Sequence, residues 1–247
     1  MFNFGHGLSP TTTRTEIERL RSFFKFCLER EWIDKNPASA LKLPIVKNIE
    51  RHPYEDYELN AIDTAIGFFP NKGIYGELNR ERIKAFVEVL KWTGMRIGDA
   101  VQFSKDTIKD GQIILRTQKN GKRVSIPLHP ETKLALEKIE NGNHYYFWSG
   151  KGSTKSSVSD WCRTFMRLSK IAEVRVTGHR FRHTLIVKLL SNGIPISEVA
   201  AIAGNSPRII EKHYNQFIQS RQDRLNEAVK LFGEMYKSEQ ISSLRLD

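Results

Sequence analysis

A chain of 247 residues, 39% of them hydrophobic, is long enough for one full core and a small second one, since domains commonly hold roughly 100 to 200 residues. Its 39 Lys and Arg against 28 Asp and Glu give a formal charge of +11, more than solubility requires, so a polyanion is the natural partner, nucleic acid ahead of an anionic membrane. No apolar run approaches the roughly 18 residues of a membrane span, "MFNFGHGLSP" lacks the charged start and apolar stretch of a secretion signal, and Cys27 and Cys162 fit no metal-type spacing. These features predict a cytoplasmic protein with reduced thiols, no disulfide, no metal and no membrane attachment.

Residues 11–33 place Ile17, Leu20, Phe24, Cys27, Leu28 and Trp32 at helical spacing with charges between them, which predicts an amphipathic helix ending before "NPASAL". From Leu43 to Tyr57 the chain carries two prolines, mixed charge and no periodicity, as a linker does. The predicted organisation is a helical segment over 1–45, a linker over 46–56, a main domain over 57–236 and a tail over 237–247. "LNAIDTAIGFF" and "NRERIKAFVEVLKWTG" predict two helices, with Gly94 closing the second. Arg96 follows that end, and Asp99 stands three residues on, where its carboxylate can hold the guanidinium. Standing alone, such a pair is an ordinary surface contact worth about 0.2 to 0.5 kcal/mol.

The period then changes. "DTIKDGQIILRTQKNGKRVSIPLHP" alternates apolar and polar residues around Asp110-Gly111 and Asn120-Gly121, both strong hairpin signals. This predicts a three-stranded antiparallel sheet with strands near 105–109, 112–118 and 122–127. A two-residue loop at Asn120-Gly121 makes Lys119 and Lys122 the closing pair, two like charges that invite either solvent or an anion. From "ETKLALEKI" onward the pattern is helical again, broken by "SGKGSTKSS".

"TGHRFRHT" begins an apolar helix with His179, Arg180, Arg182 and His183, at the end where the helix dipole is already positive. With Thr177 as cap, free N–H groups and cationic side chains converge there, an arrangement that holds a phosphate, and His179 and Arg182 share a face. An isolated His-x-x-Arg is nevertheless more often a solvated basic cap. His179 and His183 raise zinc, but the segment lacks the glutamate of the zinc-protease pattern and has no third ligand. In "AIAGNSPRIIEKHYNQF", Gly204 closes one helix, Ser206 and Pro207 start another, and Ile210, Tyr214 and Phe217 follow one side of it. Tyr214 by itself reads as an ordinary aromatic. "LNEAVKLFGEMYKSEQISSLRLD" starts as an amphipathic helix that either packs on its own domain or docks on a neighbouring subunit.

Taken in order, "TGMRIGD", "TQKNGKRVSIPL", "GHRFRHT" and "AGNSPRIIEKHY" resemble the boxes of the tyrosine recombinases, the phage-type integrase family, over about residues 57 to 235. Residues 11–45 resemble only the final helices of that family's N-terminal core-binding domain. The resemblance implies a mainly α fold with a small three-stranded antiparallel sheet. It also implies a site-specific recombinase of mobile-element type that cleaves and rejoins DNA through a 3′-phosphotyrosyl intermediate, without cofactor.

By the same resemblance Arg96 and Arg182 grip the scissile phosphate, His179 stands between them, Tyr214 is the nucleophile and Lys119 is the mobile lysine. Asp99 supports the first arginine and His183 the second, with Lys122, Arg123 and Arg180 as DNA contacts. Asn205 is a departure, because nine residues before the tyrosine the family usually has histidine or tryptophan. Its amide donates a hydrogen bond but cannot carry a proton charge. The implied partner is double-stranded DNA, with a monomer in free solution and a homo-tetramer on synapsed DNA. A DNA-binding protein that keeps the fold with weakened catalysis, and a type IB topoisomerase, are the alternatives.

Overall fold

A computed structural model describes residues 7–46, 52–73, 76–116, 121, 123–139, 142–214, 226 and 229–233. The chain divides into two compact units, with the division between residues 50 and 51.

In the first unit, helix α1 runs over Pro10–Glu29, with Ser9 accepting a hydrogen bond from the Thr12 amide and Pro10 in the first turn, where its missing N–H costs nothing. It stops short of the expected residue 33. Glu31 adopts φ 58 and the Trp32 amide turns back to the Cys27 carbonyl at 3.0 Å, a left-handed closure that satisfies the last turn before the apolar spacing runs out. Asn36 then caps a short 3-10 turn over Pro37–Ala40, and Arg21 donates to the carbonyls of Ala38, Ser39 and Leu41.

The second unit begins earlier than residue 57. Tyr54 is buried, and Glu55 and Glu58 form a capping box that starts α2, Asp56–Phe68. Helix α3, Leu78–Thr93, buries Phe86, Val89 and Leu90 and ends where Gly94 takes φ 61. Helix α4 is one short stretch, Ile97–Val101. The first predicted strand shrinks. Residues Lys105–Thr107 form a 3-10 turn, and only Ile108–Lys109 pairs as β1.

Strands β2, Gln112–Arg116, and β3, Arg123–Pro127, complete an antiparallel sheet of order β1-β2-β3. Asp110 and Gly111 both have positive φ, 49° and 73°, as a primed two-residue turn requires. The second hairpin departs from expectation. A two-residue loop at Asn120-Gly121 would set Arg116 opposite Ser125, but the register sets Leu115 opposite Val124 and Arg116 opposite Arg123. A slip of two residues keeps every apolar side chain on the same face, so alternation alone cannot distinguish the two pairings.

Helices α5, Pro130–Lys138, and α6, Thr154–Ala172, follow, and Trp161 of α6 stacks on Phe86 of α3 with ring centroids 3.8 Å apart. Phe103, Phe147, Phe165 and Phe181 join that core, each burial worth about 1.5 to 3 kcal/mol. Helices α7, Gly178–Ser191, α8, Ile196–Ile202, and α9, Pro207–Tyr214, enclose a second cluster of Ile186, Leu190, Val199, Ala203 and Ile210. Helices with one small antiparallel sheet are the architecture the motifs implied. Among the described residues no helix is long and apolar enough to cross a membrane.

Candidate active site

Four segments remote in sequence meet where α3, α7, α8 and α9 come together. The left-handed turn at Gly94 ends α3 and leaves Arg96 extended, at φ −70 and ψ 148, as the residue before α4. An added Cβ at Gly94 would stand 3.0 Å from Leu185 Cδ2 and in reach of Arg182, so α7 lies directly against this turn. Gly178 packs still closer. A Cβ there would fall 2.5 Å from Ile97 Cγ1, so the first turn of α7 touches the start of α4 only because residue 178 has no side chain.

That approach brings the two arginines together. Arg182 is 6% exposed, and its guanidinium donates to the Gly94 carbonyl at 2.8 Å and to the Ala203 carbonyl, tying the end of α3 to the end of α8. Burial, and then the charge of Arg96, pull its pKa down to about 10, while Tyr214 and Asp99 act the other way. It remains a cation at neutral pH. Arg96 Nη1 lies 3.9 Å from the buried Asp99 carboxylate, and Nη2 donates to Asn205 Oδ1 at 3.1 Å. Nη1 is itself buried and has no hydrogen-bond partner among the described residues. A gap of about 10 Å³, on the scale of one water molecule, lies between these guanidinium groups and Leu115, Val124 and Ile126 of the sheet.

Tyr214 is the last residue of α9, half-buried against the second cluster, and its ring lies 5.1 Å from that of His183 at 34°. Thr177 caps α7 as expected, accepting from the Arg180 amide at 3.2 Å, and His179 is on the exposed side of that first turn. Arg123 is exposed on β3 opposite Arg116, a basic residue that sequence reasoning missed because its partner depended on the register. Lys119 and Lys122 lie outside the described residues, as do Phe217 and the tail from 237.

Arg180, expected as a DNA contact, is engaged within the protein. It donates to the Glu58 carboxylate at 2.6 Å and to the carbonyls of His52 and Pro53, and its guanidinium sits 4.2 Å from the centre of the Tyr54 ring. Among the described residues no three His, Cys, Asp or Glu side chains gather as a metal site would require.

Paired guanidinium groups, a phenol whose charge is felt at Arg182 and a flanking histidine-bearing helix terminus are the kinds of group that a phosphodiester-handling protein assembles. Comparison with known proteins agrees. Residues 69–220 match the model of the phage integrase family, and the chain belongs to that family of tyrosine recombinases. It is 24% identical over 225 residues to the tyrosine recombinase XerC of Pediococcus pentosaceus, covering 82% of this chain and 70% of that one. It is 22% identical over 233 residues to the tyrosine recombinase XerD of Pseudomonas putida, covering 89% and 76%. In fold it is similar to a lambda integrase (75-356) dimer bound to a COC′ core site, with TM-score 0.65, 20% identity and coverage of 86% and 74%. The Tn1549 transposon integrase in complex with circular intermediate DNA is similar at TM-score 0.62, 18% identity and coverage of 91% and 80%.

Proposed function

We propose that the protein is a site-specific recombinase that breaks and rejoins DNA strands through a 3′-phosphotyrosyl link on Tyr214. The observation that carries this reading is the convergence of Arg96, Arg182, Asn205 and Tyr214 from separate segments. Arg96 and Arg182 bind the non-bridging oxygens of the scissile phosphate, a task suited to planar groups that keep their charge. A preorganised donor of this kind supplies about 3 to 4 kcal/mol of transition-state stabilisation, so several are needed for so inert a bond.

Tyr214 attacks phosphorus. Its proton passes to His179 as the O–P bond forms. The bond to the 5′ oxygen breaks, and that oxygen takes a proton from Lys119. The phosphotyrosine conserves the energy of the broken diester, so a 5′ hydroxyl of a second strand displaces the tyrosine without ATP. His183 braces the nucleophile by packing against its ring, and Asp99 holds Arg96. Lys122 and Arg123 bind flanking phosphates. The working form is a tetramer on two synapsed duplexes, assembled from monomers in the cytoplasm.

The test is a nicked suicide duplex carrying the repeats that flank the gene. A denaturation-resistant protein–DNA adduct is expected with wild type and not with Tyr214→Phe. Asn205 favours one second reading, a DNA-binding protein with weakened chemistry. Tight, site-selective binding without adduct at any pH would establish that reading, and supercoil relaxation without site preference would point to a topoisomerase.

A further inference from the structure

Seen around the axis of α7, two sets of residues occupy opposite faces. Thr177, Phe181, Thr184 and Lys188 recur at helical spacing on one side, while His179, Arg182 and His183 lie on the other. The first side is held along its length by residues 52–58. The Tyr54 hydroxyl accepts from the Thr177 amide at 2.9 Å and donates to the Arg175 carbonyl at 3.1 Å. The Tyr54 amide donates to Thr184 Oγ1 at 2.7 Å, and that hydroxyl donates to the Arg180 carbonyl at 2.8 Å. Phe181 lies 4.8 Å from the Tyr54 ring, Arg180 pairs with Glu58, and Lys188 pairs with Asp56 at 2.7 Å.

We propose that Tyr54, with Glu58 behind it, is a positioning residue for His179, acting through the cap at Thr177. The two arginines have their own braces, since Arg182 is tied to the Gly94 and Ala203 carbonyls and Arg96 to Asn205. His179 stands in the first turn, two residues beyond the Thr177 cap whose amide donates to the buried Tyr54 phenol. The clamp does not touch DNA. It decides where the proton acceptor stands when Tyr214 attacks.

The proposal rests on the assignment of this turn to phosphate chemistry, so the full chain is assayed on the nicked suicide duplex, with single-turnover adduct formation, DNA Kd and thermal midpoint measured together. Tyr54→Phe removes one hydroxyl and keeps the ring. It is expected to slow adduct formation about tenfold while leaving Kd within about twofold, and in a His179→Ala background the same change should add less than about twofold, because the group it positions is gone. A purely structural role would lower the midpoint and either leave the rate alone or reduce it equally in both backgrounds, and either result overturns the proposal. If Tyr54→Phe does not fold, Glu58→Gln is measured in the same two backgrounds, with about a threefold loss expected in the first only. Absence of adduct from wild type would overturn the recombinase reading and the clamp with it, whereas wild-type adduct with an unaffected Tyr54→Phe overturns the clamp alone.

Discussion

Arg96 Nη2 donates a hydrogen bond to Asn205 Oδ1 at 3.1 Å, across 109 residues of sequence. A guanidinium has no acceptor, so the contact fixes which end of the amide faces Arg96 and turns the NH₂ end away from it. Asn205 therefore does two things at the position where the family usually has a histidine. It braces the first arginine through its oxygen, and in the proposed mechanism its NH₂ donates to the phosphate. Asn205→Ala should lower the adduct rate by about a hundred- to a thousandfold, the usual range for loss of one oxyanion-hole donor. Asn205→His restores a donor that can also protonate and should match or exceed wild type. A wild-type rate in Asn205→Ala would show that the amide plays no part.

Arg182 ties two helix ends together as well as carrying the proposed contact to the phosphate. Arg182→Lys cannot reach both the Gly94 and Ala203 carbonyls. Leaving one buried acceptor unpaired costs about 1 to 3 kcal/mol, and each kcal/mol lowers the midpoint of a domain of this size by roughly 2 to 4 °C. Calorimetry should record that loss together with near-complete loss of adduct. A variant of unchanged midpoint would mean that the carbonyl contacts carry no weight.

Gly178→Ala tests the close approach that joins the arginines. Its Cβ would meet Ile97 at 2.5 Å, so the first turn of α7 must move or the domain must strain, at about 1 to 3 kcal/mol. Urea denaturation should show the loss, and Ile97→Ala in the same chain should restore part of it. Additive losses in the double variant would argue against a direct clash.

Burial pushes the Tyr54 phenol up to about 12, against the help of Thr177 and Arg180, from a reference near 10. Between pH 10 and 12 the unfolded chain gives up this proton while the folded chain keeps it. The contribution is thus fully present below pH 10 and fades as pH rises through 12. Denaturation at pH 8 and 11.5 should show a smaller alkaline loss in Tyr54→Phe than in wild type. Equal losses would place the alkaline sensitivity elsewhere.

DNA affinity should fall steeply with salt, since each neutralised phosphate contributes about 0.9 to the slope of log K against log salt. Arg123→Ala should reduce that slope by about 1. Arg180→Ala should instead lower the thermal midpoint with the slope unchanged, because its charge is held by Glu58. A drop in slope for Arg180→Ala would return that residue to the DNA interface.

Much of this protein was legible in its residue order. Local rules suffice for the Thr177 cap, the Gly94 helix end, the Asp110-Gly111 turn and the alternation of β2 and β3, because each depends on neighbours within a few positions. The boxes around Arg96, Arg182 and Tyr214 were visible as residue types at family spacing. What the order of residues could not reveal was which partners those groups would find. The hairpin register, the commitment of Arg180 to Glu58 and the burial of Tyr54 behind α7 each depend on a choice among energetically similar contacts far apart in the chain. Packing makes that choice. A two-residue slip preserves the hydrophobic face, and a guanidinium binds carboxylate or phosphate equally well, so only the closed tertiary arrangement decides which charges are spent inside and which are left facing outward.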